Sequence, residues 1–117
     1  HVVLPKIGHE KLIVRPGKFA DTAVKELLNR MLAIGAQKNS MRAKIFGGAN
    51  MFPELALNCG KPIGESNARA IINELEEQNV MISAQDIGGN IGRSILFDLS
   101  TGDVKVRTRL ERKGIIF

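Results

Sequence analysis

The sequence predicts an α+β fold: a layered α/β/β sandwich of mixed or antiparallel strands with two main helices, in one domain over residues 1–117. Three observations carry this expectation. Two segments repeat apolar residues at three- and four-residue spacing, and each ends at a residue suited to stop a helix. Beyond Asn79 the spacing becomes alternating, in "VMISAQD", "SILFDLS" and "VKVRTRL", with glycine-rich turns between. The expected order is strand, helix, strand, helix and then three antiparallel-type strands. Helices set apart from consecutive strands point to α+β layering rather than a doubly wound parallel sheet.

Val2 to Leu4 is a short strand candidate, and Pro16-Gly17 marks a turn before the first helix. In "FADTAVKELLNRMLAIGAQ", Asp21 is the expected N-cap, and Val24, Leu27, Leu28, Met31 and Leu32 form one apolar stripe that reads as core. Gly35 follows, where a left-handed residue commonly ends a helix. Ala43 to Phe46 reads as a strand running into a glycine pair. The second helix follows "KPIGESN", with Ser66 as cap and Asn79 as stop. Ala68, Ile71, Ile72 and Leu75 make its buried face, and Glu74, Glu76 and Glu77 face water. In the last strand Val104, Val106, Thr108 and Leu110 take one face and Lys105, Arg107 and Arg109 the other. "STGD" before it is a hairpin signal, with Gly102 supplying a positive φ.

At 117 residues and 12.8 kDa, with 44% hydrophobic content, the chain has enough apolar surface for one core. No apolar run approaches the roughly 18–20 residues that span a bilayer, and the first residues lack the pattern of a signal peptide. The expectation is a cytoplasmic protein without membrane insertion. One cysteine, Cys59, cannot form an internal disulfide, in keeping with a reducing compartment. A formal charge of +5 and a pI near 9.7 invite a nucleic-acid reading. The charge is spread, however: residues 1–60 carry nine Lys or Arg against four acids, and residues 61–117 carry eight against eight. Trp and Tyr are absent and the five Phe lie mostly in apolar runs, so base-stacking platforms are scarce. Nucleic acid is not the expected partner, and an acidic protein surface would use the same charge.

Two glycine clusters stand out, "FGGA" at 46–49 and "DIGGNIGR" at 86–93. A phosphate cradle places glycines before a helix N-terminus, so that backbone N–H groups face the anion. Neither cluster has that context, and tight turns with close backbone approach explain each alone. His1, His9 and Cys59 have no zinc-site spacing, so neither metal nor cofactor is expected. His9, in a polar loop, reads as solvated. Cys59 is a passive thiol unless His1 comes near it, in which case it is a nucleophile candidate.

Taken together, "HVVLP", "AKIFGGANMF", "IGESNARAIINEL", "DIGGNIGRSILF" and "TGDV" occur in an order and spacing that resemble the chemoreceptor glutamine deamidases of bacteria and archaea, the CheD family, from His1 to about Arg109. The resemblance implies hydrolysis of selected glutamine side-chain amides to glutamates on methyl-accepting chemotaxis receptors. It implies a cysteine nucleophile, a histidine base and a threonine that orients the histidine. The family histidine lies in an HxxLP motif, which here is His1 with Leu4 and Pro5. The family's Cys and Thr lie upstream of it, in a Gly-Ser-Cys-type segment, so the nucleophile is expected before His1 and the residues shown are expected to be inactive alone. Cys59 matches no catalytic position of the family.

The resemblance also implies that Gly47, Gly48, Gly88 and Gly89 lie near the site, without assigning an oxyanion donor among them, and that Asn67 and Arg93 occupy motif positions. Read from residue type alone, Asn67 serves equally as a first-turn hydrogen bonder and Arg93 as half of a structural ion pair. Implied partners are the cytoplasmic helices of the receptor as substrate and a chemotaxis phosphatase. The basic strand face of Lys105, Arg107 and Arg109 either steers acidic receptor helices or is simply solvated. A different class of function, a non-catalytic adaptor that binds the response-regulator phosphatase, is separated from the enzyme by whether a cysteine precedes His1.

Overall fold

A computed structural model describes residues 1–6, 15–51 and 62–117. His9 and Cys59 lie outside the described residues. The elements, in order, are α1 (Ala20–Ala33), β1 (Arg42–Gly47), α2 (Ile63–Glu77), β2 (Met81–Ile87), β3 (Ser94–Phe97), β4 (Val104–Arg107) and β5 (Ile115–Ile116), with short 3₁₀ turns at Pro16–Lys18 and Lys38–Ser40.

The helix stops follow the sequence reading closely. Gly35, at φ +96°, is the left-handed residue after α1; its N–H bonds the Leu32 carbonyl at 3.0 Å, and the Ala36 N–H bonds that of Met31 at 3.0 Å. Asn79, at φ +56°, ends α2 in the same way, with Asn79 N–H to Glu76 O at 2.9 Å and Val80 N–H to Leu75 O at 2.9 Å. Both pairs are the two bonds of a Schellman ending, in which the residue beyond the turn folds back onto the helix's apolar side. Met31 with Ala36, and Leu75 with Val80, thereby enter the core.

The helix starts differ from expectation. α1 begins at Ala20 with Phe19 in the cap position, so Asp21 lies inside the first turn; Thr22 Oγ1 instead donates to the Pro16 carbonyl at 2.7 Å. α2 begins at Ile63 after Pro62, and Ser66 lies inside it rather than capping it. Pro62 fixes an extended φ and its carbonyl takes the Ser66 N–H at 3.1 Å, which starts the helix without a side-chain cap.

α1 and α2 pack together, and α2 lies over β1 and β2. Val24, Leu28, Met41, Leu75 and Val80 form the buried cluster, joined by Met31, Ala43, Ile45, Ile71 and Ile82. Of the predicted α1 stripe, Leu27 is 59% exposed and Leu32 is also exposed. The surface α2 presents is narrower than the stripe, so only the Ala20, Val24, Leu28 line is fully covered. Glu74, expected in water, is 6% exposed. It pairs with Lys25 of α1 at 3.3 Å and accepts from Gln78 Nε2 at 3.0 Å, which supplies the partners a buried carboxylate requires.

β1 and β2 pair in parallel, which corrects the antiparallel reading of the segment after Asn79. α2 is the crossover between them, and a crossover of this length permits parallel pairing where a tight turn would not. The register slips by one between Ala43 and Lys44, leaving Ser83 as the extra residue of a bulge. β3 and β4 pair antiparallel as expected, with Val104 and Val106 buried, but the third strand of their sheet is β5, which the sequence reading does not anticipate, rather than β2. Leu110 lies beyond β4 and is exposed. Val2 to Leu4 forms no full strand, only a parallel bridge from Leu4 to Phe19.

Side-chain alternation on β1 shows the layering. Ala43 and Ile45 face the helices. From the intervening positions, Lys44 Nζ donates to the carbonyls of Gly102 and Phe117, both at 2.7 Å, and Phe46 meets Phe117 edge-on with centroids 5.3 Å apart. The parallel pair is thus the middle layer, with helices on one side and the antiparallel sheet on the other, the α/β/β arrangement the sequence predicts.

Candidate functional site

The two glycine clusters meet. They follow the C-terminal ends of β1 and β2, which parallel pairing brings side by side. Gly88 N–H donates to Gly47 O at 2.8 Å, and Asn50 N–H donates to Gly89 O at 2.8 Å. Gly47, Gly48, Gly88 and Gly89 all have positive φ, from +66° to +115°, a region that L-residues with a Cβ rarely adopt. Tight turns and close backbone approach, the plain reading of each cluster, are therefore both present. Because the Gly88 and Asn50 N–H groups are spent inside the junction, neither is free to serve as an oxyanion donor.

The first turns of α2 sit directly against this junction. A Cβ on Gly48 would stand 2.9 Å from the Gly64 carbonyl oxygen and 3.4 Å from the Ala68 Cβ. Gly64 was not singled out from the sequence. A glycine in a helix costs about 1 kcal/mol relative to alanine; here, four residues before Ala68, it leaves the gap through which the helix approaches the turn. A hollow of about 210 Å³ opens beside the contact, lined by residues that include Gly48, Asn50, Glu65, Ala68, Gly88 and Gly89.

Arg93 spans the second glycine turn. Its Nε and Nη2 meet Asp86 Oδ2 and Oδ1 at 2.9 and 2.6 Å, and Nη1 donates to the Gly88 carbonyl at 2.9 Å and that of Ile91 at 3.3 Å. The side chain is 11% exposed, and these bonds occupy the rigid guanidinium fork, so Arg93 acts here as a clamp on the loop. Asp86, which residue patterning did not single out, is the penultimate residue of β2, just before the glycines. Arg93's hydrogen bonds, and secondarily its charge, hold the Asp86 carboxyl below its usual range against the opposing effect of burial.

A carboxyl with a lowered folded pKa stabilises the fold above its unfolded value and loses that contribution as pH falls through the folded value. Arg93→Ala should therefore destabilise by about 1–3 kcal/mol near pH 7, and the gap from the parent chain should narrow as Asp86 protonates below about pH 4, leaving the part that comes from the Gly88 and Ile91 carbonyl bonds. Urea unfolding across a pH series checks this; a gap constant down to acid pH would refute it.

His1 is exposed at the start of a stretch pinned on two sides. The Lys18 carbonyl accepts from Val3 and Leu4 N–H at 2.8 and 3.1 Å, and Ala20 N–H donates to the Leu4 carbonyl at 2.9 Å. From α2, Asn67 Nδ2 donates to the Val3 carbonyl at 3.0 Å. The N-terminal half of α2 therefore touches both places: Gly64 and Ala68 face the glycine junction, and Asn67 faces the His1 stretch. The stems of Lys105 and Arg107, from the basic strand face, lie against Gly114. No three His, Cys, Asp or Glu side chains form a metal-holding group among the described residues.

Comparison with known proteins bears on the same segments. The family model for CheD chemotactic sensory transduction matches residues 3–108. The chain belongs to the CheD family. It is 41% identical over 108 residues to a protein of Clostridium botulinum strain Hall whose name reads "probable chemoreceptor glutamine deamidase CheD", covering 92% of this chain and 67% of that one. It is 43% identical over 112 residues to a protein of the same name from Desulfitobacterium hafniense, with the same coverage. The CheD match takes in both glycine turns, α2 and Arg93, and begins two residues after His1. Among the described residues of this CheD-family chain, no helix is long and apolar enough to cross a membrane.

Proposed function

We propose that the chain is the greater part of a chemoreceptor glutamine deamidase that works by Cys–His thiol chemistry in the cytoplasm. The observation that carries this reading is the convergence on α2 of the His1 stretch, held by Asn67, with the paired glycine turns, which meet through Gly88 and Gly47. The deamidase names of its relatives support it as well. The nucleophilic cysteine and its orienting threonine belong, on this reading, to residues before His1.

Each residue then has a defined task. A free thiol, with a pKa near ~8.5, is mostly protonated at neutral pH; an adjacent imidazolium lowers that to roughly 3.5–7.5 and yields the thiolate. The thiolate attacks the glutamine side-chain carbonyl carbon. When the C–N bond breaks, His1 gives its proton to the departing nitrogen, which leaves as ammonia. His1 then takes a proton from water, whose oxygen attacks the thioester; the C–S bond breaks, releasing glutamate and regenerating the thiolate. The glycine turns shape the wall beside which the amide lies. Receptor cytoplasmic helices are the substrate and a chemotaxis phosphatase is a binding partner.

The test uses the intact protein and a purified receptor cytoplasmic fragment, with glutamine-to-glutamate conversion read by peptide mass spectrometry. Conversion should occur, stop after thiol alkylation, and persist in a Cys59→Ser variant, which also remains sensitive to alkylation. Conversion that resists alkylation, or that is lost with Cys59, overturns the assignment of the nucleophile. No conversion, together with retained phosphatase binding, would replace the enzyme with the adaptor.

A further inference from the structure

We infer that Asn67 is a positioning residue for the proposed base, acting on His1 through the backbone of Val3; the inference rests on the deamidase reading above. Two features of the amide point this way. Its nitrogen makes the 3.0 Å bond to the Val3 carbonyl, the one side-chain hydrogen bond that reaches the His1–Lys6 stretch among the described residues. Its oxygen is buried, yet finds no hydrogen-bonding partner among the described residues. A buried acceptor without a donor works against stability, whereas an apolar side chain of similar size at this position would leave none. The amide is therefore a poor choice for packing and a good one for holding a carbonyl.

The location makes that hold useful. Val3 lies two residues after His1, and its N–H is already fixed from the α1 side by the Lys18 carbonyl. Asn67 supplies the second fixed point, from a 15-residue helix whose own position is set by the Gly48–Gly64 approach. His1 is thereby registered to the same rigid element as the glycine turns. Misplacing a catalytic group by about 1 Å is enough to cost up to 10²-fold in rate.

The experiment is a double-mutant cycle in the full chain, with kcat, KM and thermal midpoint measured for Asn67→Ala, His1→Ala and the pair. Asn67→Ala should lower kcat about 10- to 100-fold with KM nearly unchanged, and should cost nothing further once His1 is already alanine. Asn67→Asp keeps the shape and replaces the donor with an acceptor, so it should reproduce the kcat loss even where Asn67→Ala folds poorly. An undiminished kcat in Asn67→Asp overturns the inference. So does a loss that persists in full in the His1→Ala background, because it would mark Asn67 as acting on structure alone or on the substrate. Wild-type turnover in His1→Ala by itself would instead overturn the deamidase reading's choice of base, an outcome separable from the other two.

Discussion

If His1 is the base proposed above, replacing it with alanine in the intact protein should lower receptor-glutamine turnover by about 10² to 10⁴, the range expected when a positioned general acid–base group is removed. The size of the effect follows from the chemistry. An unactivated amide is a poor electrophile and its nitrogen a poor leaving group, so the step that breaks the C–N bond needs a proton at the right place. In the proposed mechanism the same imidazole keeps the nucleophile as thiolate. Losing it removes both contributions, and because they belong to one group the losses do not add as if independent. Binding of receptor helices should change little, since His1 is one exposed side chain on a stretch held by backbone bonds to Lys18 and Ala20. Steady-state kinetics should therefore show the loss in kcat rather than KM. A His1→Ala protein with wild-type turnover would remove His1 from the mechanism.

Gly64→Ala should lower stability through a clash with backbone at the glycine junction. Its new Cβ would meet the Gly48 carbonyl oxygen, lie 2.6 Å from the Gly48 carbonyl carbon and stand 3.1 Å from the Ala49 oxygen. All three neighbours are backbone, so no side-chain rotation relieves the clash. Either the first turn of α2 lifts or the glycine junction moves. Overpacking of this kind costs about 1–3 kcal/mol and occasionally more, against a gain of about 1 kcal/mol from helix propensity. Because no rotamer relieves it, the cost lies in the upper part of that range, and we expect a net loss of roughly 1–2 kcal/mol, or a thermal midpoint lowered by about 3–15 °C. Gly17→Ala, at a position with nothing within 4 Å and no positive φ, should stay within about 0.5 kcal/mol of the parent chain. Calorimetry on the two variants separates a packing requirement from a general cost of removing glycine. Equal midpoints would mean that α2 does not rest on the junction.

The two predictions draw on different kinds of information. His1 is a candidate base only through the family resemblance of "HVVLP" and the motifs downstream, since a lone histidine on a short apolar run carries no chemistry of its own. Gly64 gives no such signal, because a glycine within a helix start reads as a weak helix former until the turn packed against it is seen. Arg93 was open between a motif role and a structural ion pair, and its four hydrogen bonds now account for it as a clamp on the Gly88 turn. Asn67 was open in the same way. Its donor reaches Val3, 64 positions away in the chain, a contact that no local pattern encodes.

Local physics was enough for the elements themselves. The periods of α1, α2, β2 and β4, the left-handed stops at Gly35 and Asn79, and the turn at Gly102 all depend on residues a few positions apart and are observed, whereas β3 is exposed along its whole length and Val2 to Leu4 makes only a bridge. Tertiary structure alone decided which way β2 runs beside β1, because alternation is the same in parallel and antiparallel strands. It also decided the burial of Glu74, which rests on Lys25 from another helix, and the exposure of Leu27, which depends on how far α2 reaches across α1. The candidate site belongs to the same class. Its parts lie at residues 1–3, 47–50, 64–68 and 86–93, and what joins them is backbone packing and hydrogen bonds across long sequence separations, which periodicity cannot record.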